Sequence, residues 1–178
     1  MTDHIFRTHV RAFAVIFFLI SIFWQLAATA SGSQLAKPTG QVILKIHGKL
    51  AHTNADDGAH FDYAMLKNLG LTEVSVDTPW TPAGTRFEGI LSKTLLELVG
   101  AEGAEILAKA ADGYTANIPF EDLAEHNTLL ALSRNGERMR LKSKGPVWIV
   151  YPNEGRPDVV EATLNSRMVW QLKSLTVL

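Results

Sequence analysis

Aromatic and charged side chains occur together at three places in the sequence, each next to a turn or to the end of a predicted strand. The set comprises Trp80 with Arg86, Asp112 with Tyr114, and Arg167 with Trp170. An aromatic ring stacks on another flat ring with a gain of about 0.5–1.5 kcal/mol, and carboxylates and guanidinium groups bind the donor and acceptor atoms at the ring's edge. The combination predicts a pocket for a flat heteroaromatic ligand. Ordinary packing at the rim of the core is the alternative, because a buried indole or phenol also needs a polar partner.

Other kinds of chemistry have less support in the sequence. The chain contains no cysteine, so it offers neither a disulfide nor a thiolate for a metal or a substrate. His52, Asp56, Asp57 and His60 lie in one loop, and histidine with carboxylate can bind a metal. Alternating Asn, Asp and Gly is far more typical of plain turns, so we predict no metal site there. None of the serines lies in a nucleophile-elbow pattern.

Short alternating and periodic segments predict the elements that position these residues. Apolar alternation indicates strands at 41–48 and 71–76, and a buried strand at 145–152. Helical spacing indicates short helices at 61–70, 89–100 and 118–126. Asn135-Gly136 predicts a hairpin within 128–141, and 166–178 reads as one or two strands. Segment 101–114 suits a helix or a strand, and we leave both open. The pattern predicts a mixed α+β domain, mostly β, with mixed or barrel-like sheets and short helices.

The bulk composition and the first thirty residues bear on localisation. The chain has 178 residues and a net charge of −1, which suits one globular domain and argues against a nucleic-acid-binding face.

Arg7 and Arg11 precede an apolar run at 12–24, and a run of small residues ends at Ala30. We therefore predict a signal peptide cleaved after Ala30, and a periplasmic protein that does not insert into a membrane after cleavage. An uncleaved anchor is the alternative, although the run is shorter than the roughly 20 residues of a spanning helix. Residues 31–40 are predicted as a flexible leader and 41–178 as the domain.

Six sequence motifs occur in an order that resembles a known family. They are VSVDTPW, FEGI, ADGYTANIPFEDL, LLALSRNGERM, KGPVWIVYP and RMVWQL. This order resembles the oxidoreductase molybdopterin-binding domain of the sulfite-oxidase superfamily over roughly residues 40–178, and it implies that fold. In the family's enzymes a cysteine after the second strand binds molybdenum, and its place here falls near Asp77. The lysine that commonly precedes the last tryptophan is replaced by Val169. The resemblance therefore implies a pterin ligand, whereas the missing thiolate makes molybdenum an unexpected one.

The chain is also similar to a small, exported, cysteine-free branch of this superfamily. That similarity implies a non-catalytic pterin-binding protein that regulates a membrane-bound cyclic-di-GMP enzyme through the enzyme's periplasmic domain. The resemblance predicts that Trp80 and Trp170 stack on the pterin ring. Asp112, supported by Tyr114, is predicted to bind the 2-amino and N3–H edge of that ring. Arg86 and Arg167 are predicted to contact O4 or the side-chain hydroxyls, and Asp77 is predicted to lie near the ligand. Two alternatives stay open. One is a molybdenum-pterin oxidoreductase with Asp77 as the metal ligand, and the other is an interaction module without a ligand.

Overall fold

The computed structural model describes residues 35–152 and 160–178. Within these ranges the strands are β1 (Val42–Gly48), β2 (Ala59–Asp62), β3 (Thr72–Val76), β4 (Thr85–Leu91), β5 (Glu105–Ala110), β6 (Thr115–Pro119), β7 (Leu129–Arg134), β8 (Glu137–Arg138), β9 (Trp148–Val150) and β10 (Leu172–Val177). The α-helices are α1 (Tyr63–Asn68), α2 (Ser92–Leu98), α3 (Phe120–Ala124) and α4 (Glu161–Arg167), and Leu141–Ser143 form a 3-10 turn. The predicted signal peptide and residues 31–34 of the predicted leader lie outside the described residues.

The first sheet has the strand order β2-β1-β10-β5-β6. Strand β1 pairs in parallel with β10, and the other pairs in this sheet are antiparallel. Leu44 and Ile46 of β1 are fully buried, while their neighbours are only half-buried. This alternation follows the two-residue period of a strand and confirms the strand predicted at 41–48.

The second sheet has the strand order β3-β4-β7-β8, and β9 also pairs with β7. Strand β7 lies in its centre, and both of its faces are covered. Leu130 and Leu132 pack into the larger of two apolar clusters, and Leu129 and Ala131 pack into the smaller one. Beside β7, Gly89 of β4 lets the two backbones approach closely, because a Cβ there would lie 2.1 Å from the Leu130 carbonyl oxygen.

The mostly β architecture confirms the predicted fold class, and several boundaries need correction. Segment 101–114 resolves as β5 followed by a turn, not as a helix. The helix predicted from residue 89 begins only at Ser92, because residues 89–91 complete β4. Residues 166 and 167, predicted as strand, end helix α4. In each of the last two cases local periodicity placed the junction between two elements at the wrong residue.

The predicted flexible leader is held in place over its described part, 35–40. Leu35 is buried in the larger apolar cluster. The backbone N–H groups of Thr39 and Gly40 donate to Asp62 Oδ2 at 2.9 and 2.8 Å. Asp62 also caps α1, because its Oδ1 accepts from the Met65 N–H at 2.9 Å. These backbone donors lower the pKa of the Asp62 carboxyl.

Among residues 35–152 and 160–178, every helix is too short or too polar to cross a lipid bilayer.

Candidate ligand-binding site

A cavity of about 270 Å³ opens where three parts of the chain meet. The β3–β4 loop, the turn between β5 and β6, and the end of α4 with the residues after it form its wall. The lining residues are Trp80, Ala110, Asp112, Tyr114, Asn165, Ser166, Met168, Val169 and Trp170. Small-molecule sites are typically concave and mostly apolar with a few convergent polar groups, and their volumes begin at about 300 Å³. The cavity therefore suits a ligand of one or two rings.

The loop that carries Trp80 is closed by side-chain hydrogen bonds. Asp77 Oδ1 accepts from the Gly84 N–H at 2.8 Å, which joins the two ends of the loop. Inside it, Thr78 Oγ1 accepts from the Trp80 N–H at 3.3 Å and lies 2.8 Å from Thr81 Oγ1. Because these bonds fix the backbone on both sides of the indole, Trp80 is presented on a closed loop.

Three tryptophans pack against one another at the cavity, and Trp170 meets the other two edge to face. The ring centroids of Trp80 and Trp170 lie 5.0 Å apart, at 78° to each other. Trp148 lies 6.2 Å from Trp80 and 6.0 Å from Trp170. It is fully buried, and its Nε1 donates to the Met168 carbonyl at 3.1 Å. Aromatic pairs with ring centroids at these distances are favourable, so Trp148 supports the two indoles that line the cavity, edge to face with Trp170 and tilted by 54° to Trp80.

Sequence reasoning did not identify Trp148 as part of the site. It lies in β9, within an apolar run that predicts only a buried strand, and all three β9 residues are buried. The lining residues Asn165 and Ser166 were also missed, because they lie outside every recognisable motif, and so were Ala110, Met168 and Val169. The sequence offers one indication for Trp148, which is that the chain contains only four tryptophans.

The ammonium group of Lys144 lies beside the three tryptophans. Its Nζ lies 3.6 Å from the ring centroid of Trp170, and 5.4 and 5.9 Å from those of Trp148 and Trp80. These distances place the ammonium within cation–π range of all three indoles. Burial lowers the pKa of the Lys144 ammonium, and the charge of Arg134 lowers it further.

Asp112 and Tyr114 line the cavity from the turn between β5 and β6. Asp112 Oδ1 accepts from the Tyr114 N–H at 2.9 Å, which is the local bond expected in an Asx turn. The Tyr114 hydroxyl donates to the Ser166 carbonyl at 2.8 Å and so ties this turn to helix α4. Within the described residues, the second carboxylate oxygen of Asp112 makes no hydrogen bond. An acceptor is therefore available for the donor edge of a ligand.

Arg167 does not line the cavity. Its Nη1 lies 2.7 Å from Asp122 Oδ2, and the Tyr151 hydroxyl donates to the same oxygen at 3.0 Å. Asp122 is fully buried, and 17% of the Arg167 side chain is exposed. In this structure Arg167 forms an internal ion pair, which holds the end of α4 against α3, and its contact with a ligand stays a prediction.

The structure also places Arg86 and Asp77 outside the cavity lining. Arg86 lies on the exposed side of β4, with its Nη1 3.7 Å from Glu73 Oε1. Asp77 is exposed and closes the Trp80 loop through its bond to Gly84. Of the seven residues predicted to bind a ligand, the cavity brings together four, which are Trp80, Asp112, Tyr114 and Trp170.

In the loop that contains His52, Asp56, Asp57 and His60, Asp57 contacts other side chains of the protein. Asp57 Oδ1 lies 2.7 Å from His60 Nε2, and Asp57 Oδ2 lies 3.3 Å from Lys45 Nζ. Over the described part of the chain, no three His, Cys, Asp or Glu residues are arranged to hold a metal ion.

Comparison with known proteins gives one family and two similar proteins. The family described as "oxidoreductase molybdopterin binding domain" matches residues 59–154. The uncharacterized oxidoreductase YuiH of Bacillus subtilis (strain 168) is 24% identical over 115 residues, which cover 62% of this chain and 56% of YuiH. The chain therefore matches little more than half the length of that curated relative.

A similar fold occurs in a solved structure, the sulfane dehydrogenase SoxCD from Paracoccus pantotrophus. The TM-score is 0.56 at 18% sequence identity, and the match covers 82% of this chain and 40% of the SoxCD chain. This match confirms the sulfite-oxidase-type fold that the order of motifs predicts.

The residues at the cavity fit the pterin part of a molybdopterin better than its metal. Indole faces suit a bicyclic ring, and the Asp112 carboxylate suits the ring's amino and N–H donors. The chain has no cysteine, so it cannot offer a thiolate, which is the soft ligand that binds molybdenum in the family's enzymes.

Proposed function

Because the chain belongs to the oxidoreductase molybdopterin binding domain family, we propose that it binds a pterin and that it does so without catalysis. The observation that carries this proposal is the cavity formed by Trp80, Trp170 and Asp112 in a chain without cysteine. The pterin ring stacks on the indoles. Its 2-amino and N3–H groups donate to the free oxygen of Asp112, whose turn Tyr114 holds against α4.

Calorimetric titration of the purified protein with a reduced pterin tests the binding. Asp112→Asn removes the charge that accepts two hydrogen bonds, and bonds to charged groups contribute about 1.5–3 kcal/mol. We expect its affinity to fall about 10- to 100-fold, while Trp80→Ala loses one stacking contact and falls about 2- to 10-fold. The matched control is Asp56→Asn, which removes the same charge from an exposed loop away from the cavity. Absence of heat with up to millimolar pterin would refute the proposal.

The competing function is a molybdenum-dependent oxidoreductase. It is favoured by the similar proteins, one of which is called an oxidoreductase and the other a dehydrogenase. Asp77 would have to supply an oxygen ligand, and a carboxylate suits harder metals than a thiolate does. Metal analysis of protein made in a host that synthesises the cofactor separates the two functions. Stoichiometric molybdenum would replace our proposal with this one.

The proposed setting is the periplasm, where the protein regulates a membrane-bound cyclic-di-GMP enzyme. Support comes from the sequence of residues 1–30 and from the resemblance to the exported branch. Mass spectrometry of the exported protein is expected to find Ser31 as its first residue. Deletion of the gene is expected to change the cellular level of cyclic di-GMP, and restoration by wild type but not by Asp112→Asn would link that change to the pterin.

A further inference from the structure

A single ammonium group lies among the three indoles that form and support the cavity wall. The Lys144 Nζ is closest to Trp170, at 3.6 Å from the ring centroid. Within the described residues, no carboxylate lies within 4 Å of this ammonium. The indoles are therefore its main electrostatic partners, in a half-buried position where water screens the charge only in part.

The indole of Trp170 contacts both this charge and the cavity. Trp170 lines the cavity, whereas Lys144 does not. Trp80 and Trp148 meet Trp170 edge to face, and the ammonium lies over one face of its ring. A ligand that stacks on Trp170 thus meets a ring whose π electrons are drawn toward a cation.

Such a ring has a preference among pterins. A cation is attracted to the negative face of an aromatic ring, and aromatic pairs are arranged by their quadrupoles. When a cation withdraws electron density from the indole, the indole stacks better on an electron-rich partner. Tetrahydropterins are electron-rich because two nitrogens of the saturated ring donate into the pyrimidinone. Fully oxidised pterins are electron-poor because four ring nitrogens withdraw electrons.

We propose that Lys144 is a specificity-determining residue, which acts through Trp170 to make the cavity select reduced over oxidised pterins. This inference rests on the proposed pterin-binding function and adds the oxidation state of the ligand to it. Lys144 takes no part in binding by direct contact. The backbone that carries this side chain is left-handed at Lys144 (φ 71°), and its carbonyl accepts from the Gln171 N–H at 2.9 Å.

The test compares the dissociation constants of tetrahydrobiopterin and of biopterin, which share a side chain and differ in oxidation state. Both are measured anaerobically by calorimetry on the purified protein. We expect wild type to bind the tetrahydro form at least about fivefold more tightly, the scale of a cation–π interaction. In Lys144→Met, which keeps an unbranched side chain without the charge, the ratio is expected to fall to within about twofold of one.

Two control variants separate this effect from general electrostatics and from folding. Lys142→Met removes the same charge from an exposed position in the same segment, and it is expected to keep the wild-type ratio. Lys144→Arg keeps the cation and is expected to keep the ratio as well. If Lys144→Met does not fold, Trp170→Phe provides the second test, because phenylalanine binds a cation more weakly than tryptophan does and the ratio is expected to fall.

The outcomes distinguish this inference from the function on which it rests. An unchanged ratio in Lys144→Met, or an equal fall in Lys142→Met, overturns the role of Lys144 and leaves pterin binding intact. A wild-type protein that binds neither pterin overturns the proposed function, and this inference with it.

Discussion

Two arginines that look equivalent in the sequence have different surroundings in the structure, and their replacement is expected to have different consequences. Arg167 pairs at 2.7 Å with Asp122, which is fully buried. Arg86 pairs at 3.7 Å with Glu73, and more than half of each of these two side chains is exposed. We predict that Arg167→Met strongly destabilises the fold and that Arg86→Met hardly changes its stability.

The magnitudes follow from burial. Removing one partner of a buried ion pair costs about 3–5 kcal/mol, because the remaining charge stays in a poorly solvated place. An exposed pair contributes about 0–1 kcal/mol. For a domain of this size, 1 kcal/mol shifts the melting temperature by about 2–4 °C. Arg167→Met is therefore expected to melt about 6–20 °C below wild type, and Arg86→Met within about 4 °C of it.

Urea denaturation followed by tryptophan fluorescence measures both variants. The double variant Arg167→Met with Asp122→Asn is expected to be more stable than Arg167→Met alone, because it removes the buried carboxylate charge that the first substitution leaves behind. Equal, small losses of stability for Arg167→Met and Arg86→Met would show that the Arg167–Asp122 pair has no such role. The burial argument would then be refuted.

Two further predictions concern the framework. Gly89→Ala is expected to lower the free energy of unfolding by about 3 kcal/mol or more, because the new methyl group would lie 2.1 Å from the Leu130 carbonyl oxygen. Gly40→Ala, whose methyl group would meet its nearest atom at 3.4 Å, is the control, and equal losses in urea would contradict this reasoning. The pKa of Asp62 is lowered by its backbone donors, so the stability it contributes is present above its ordinary pKa of 3.8 and is lost as the pH falls below that value. Wild type is expected to be clearly more stable than Asp62→Asn at pH 6 and to have a smaller margin at pH 3, and a margin independent of pH in urea titrations would refute the assignment.

Sequence patterns located most of the fold and four of the cavity residues because the signals are local. Alternation in β1 and the Asn135-Gly136 turn depend only on neighbouring residues, and both of these turn residues have positive φ, as a two-residue hairpin loop requires. Asp112 and Tyr114 belong to a single turn. Trp80 and Trp170 were identified because each follows a recognisable strand or turn.

The two arginines could not be placed for different physical reasons. Arg86 lies between Thr85 and Phe87, which are both buried. The strand period therefore directs Arg86 to the opposite, solvent face, which the local sequence pattern already indicates. The sequence pattern predicts a strand at Arg167, whereas this residue ends helix α4. Its partner Asp122 is distant in the chain, and no local pattern predicts such a contact.

The position of β10 has a consequence for how the chain reaches its native state. This strand comes last among the described strands, yet it lies in the centre of the first sheet, where Lys45 of β1 pairs with Ser174. During synthesis on the ribosome, the strand that lies between β1 and β5 is the last of the sheet to be made. The first sheet therefore stays incomplete until synthesis has passed residue 177. Pairing between such distant segments slows folding, so the first sheet is expected to be completed after the second, whose strands all precede β10.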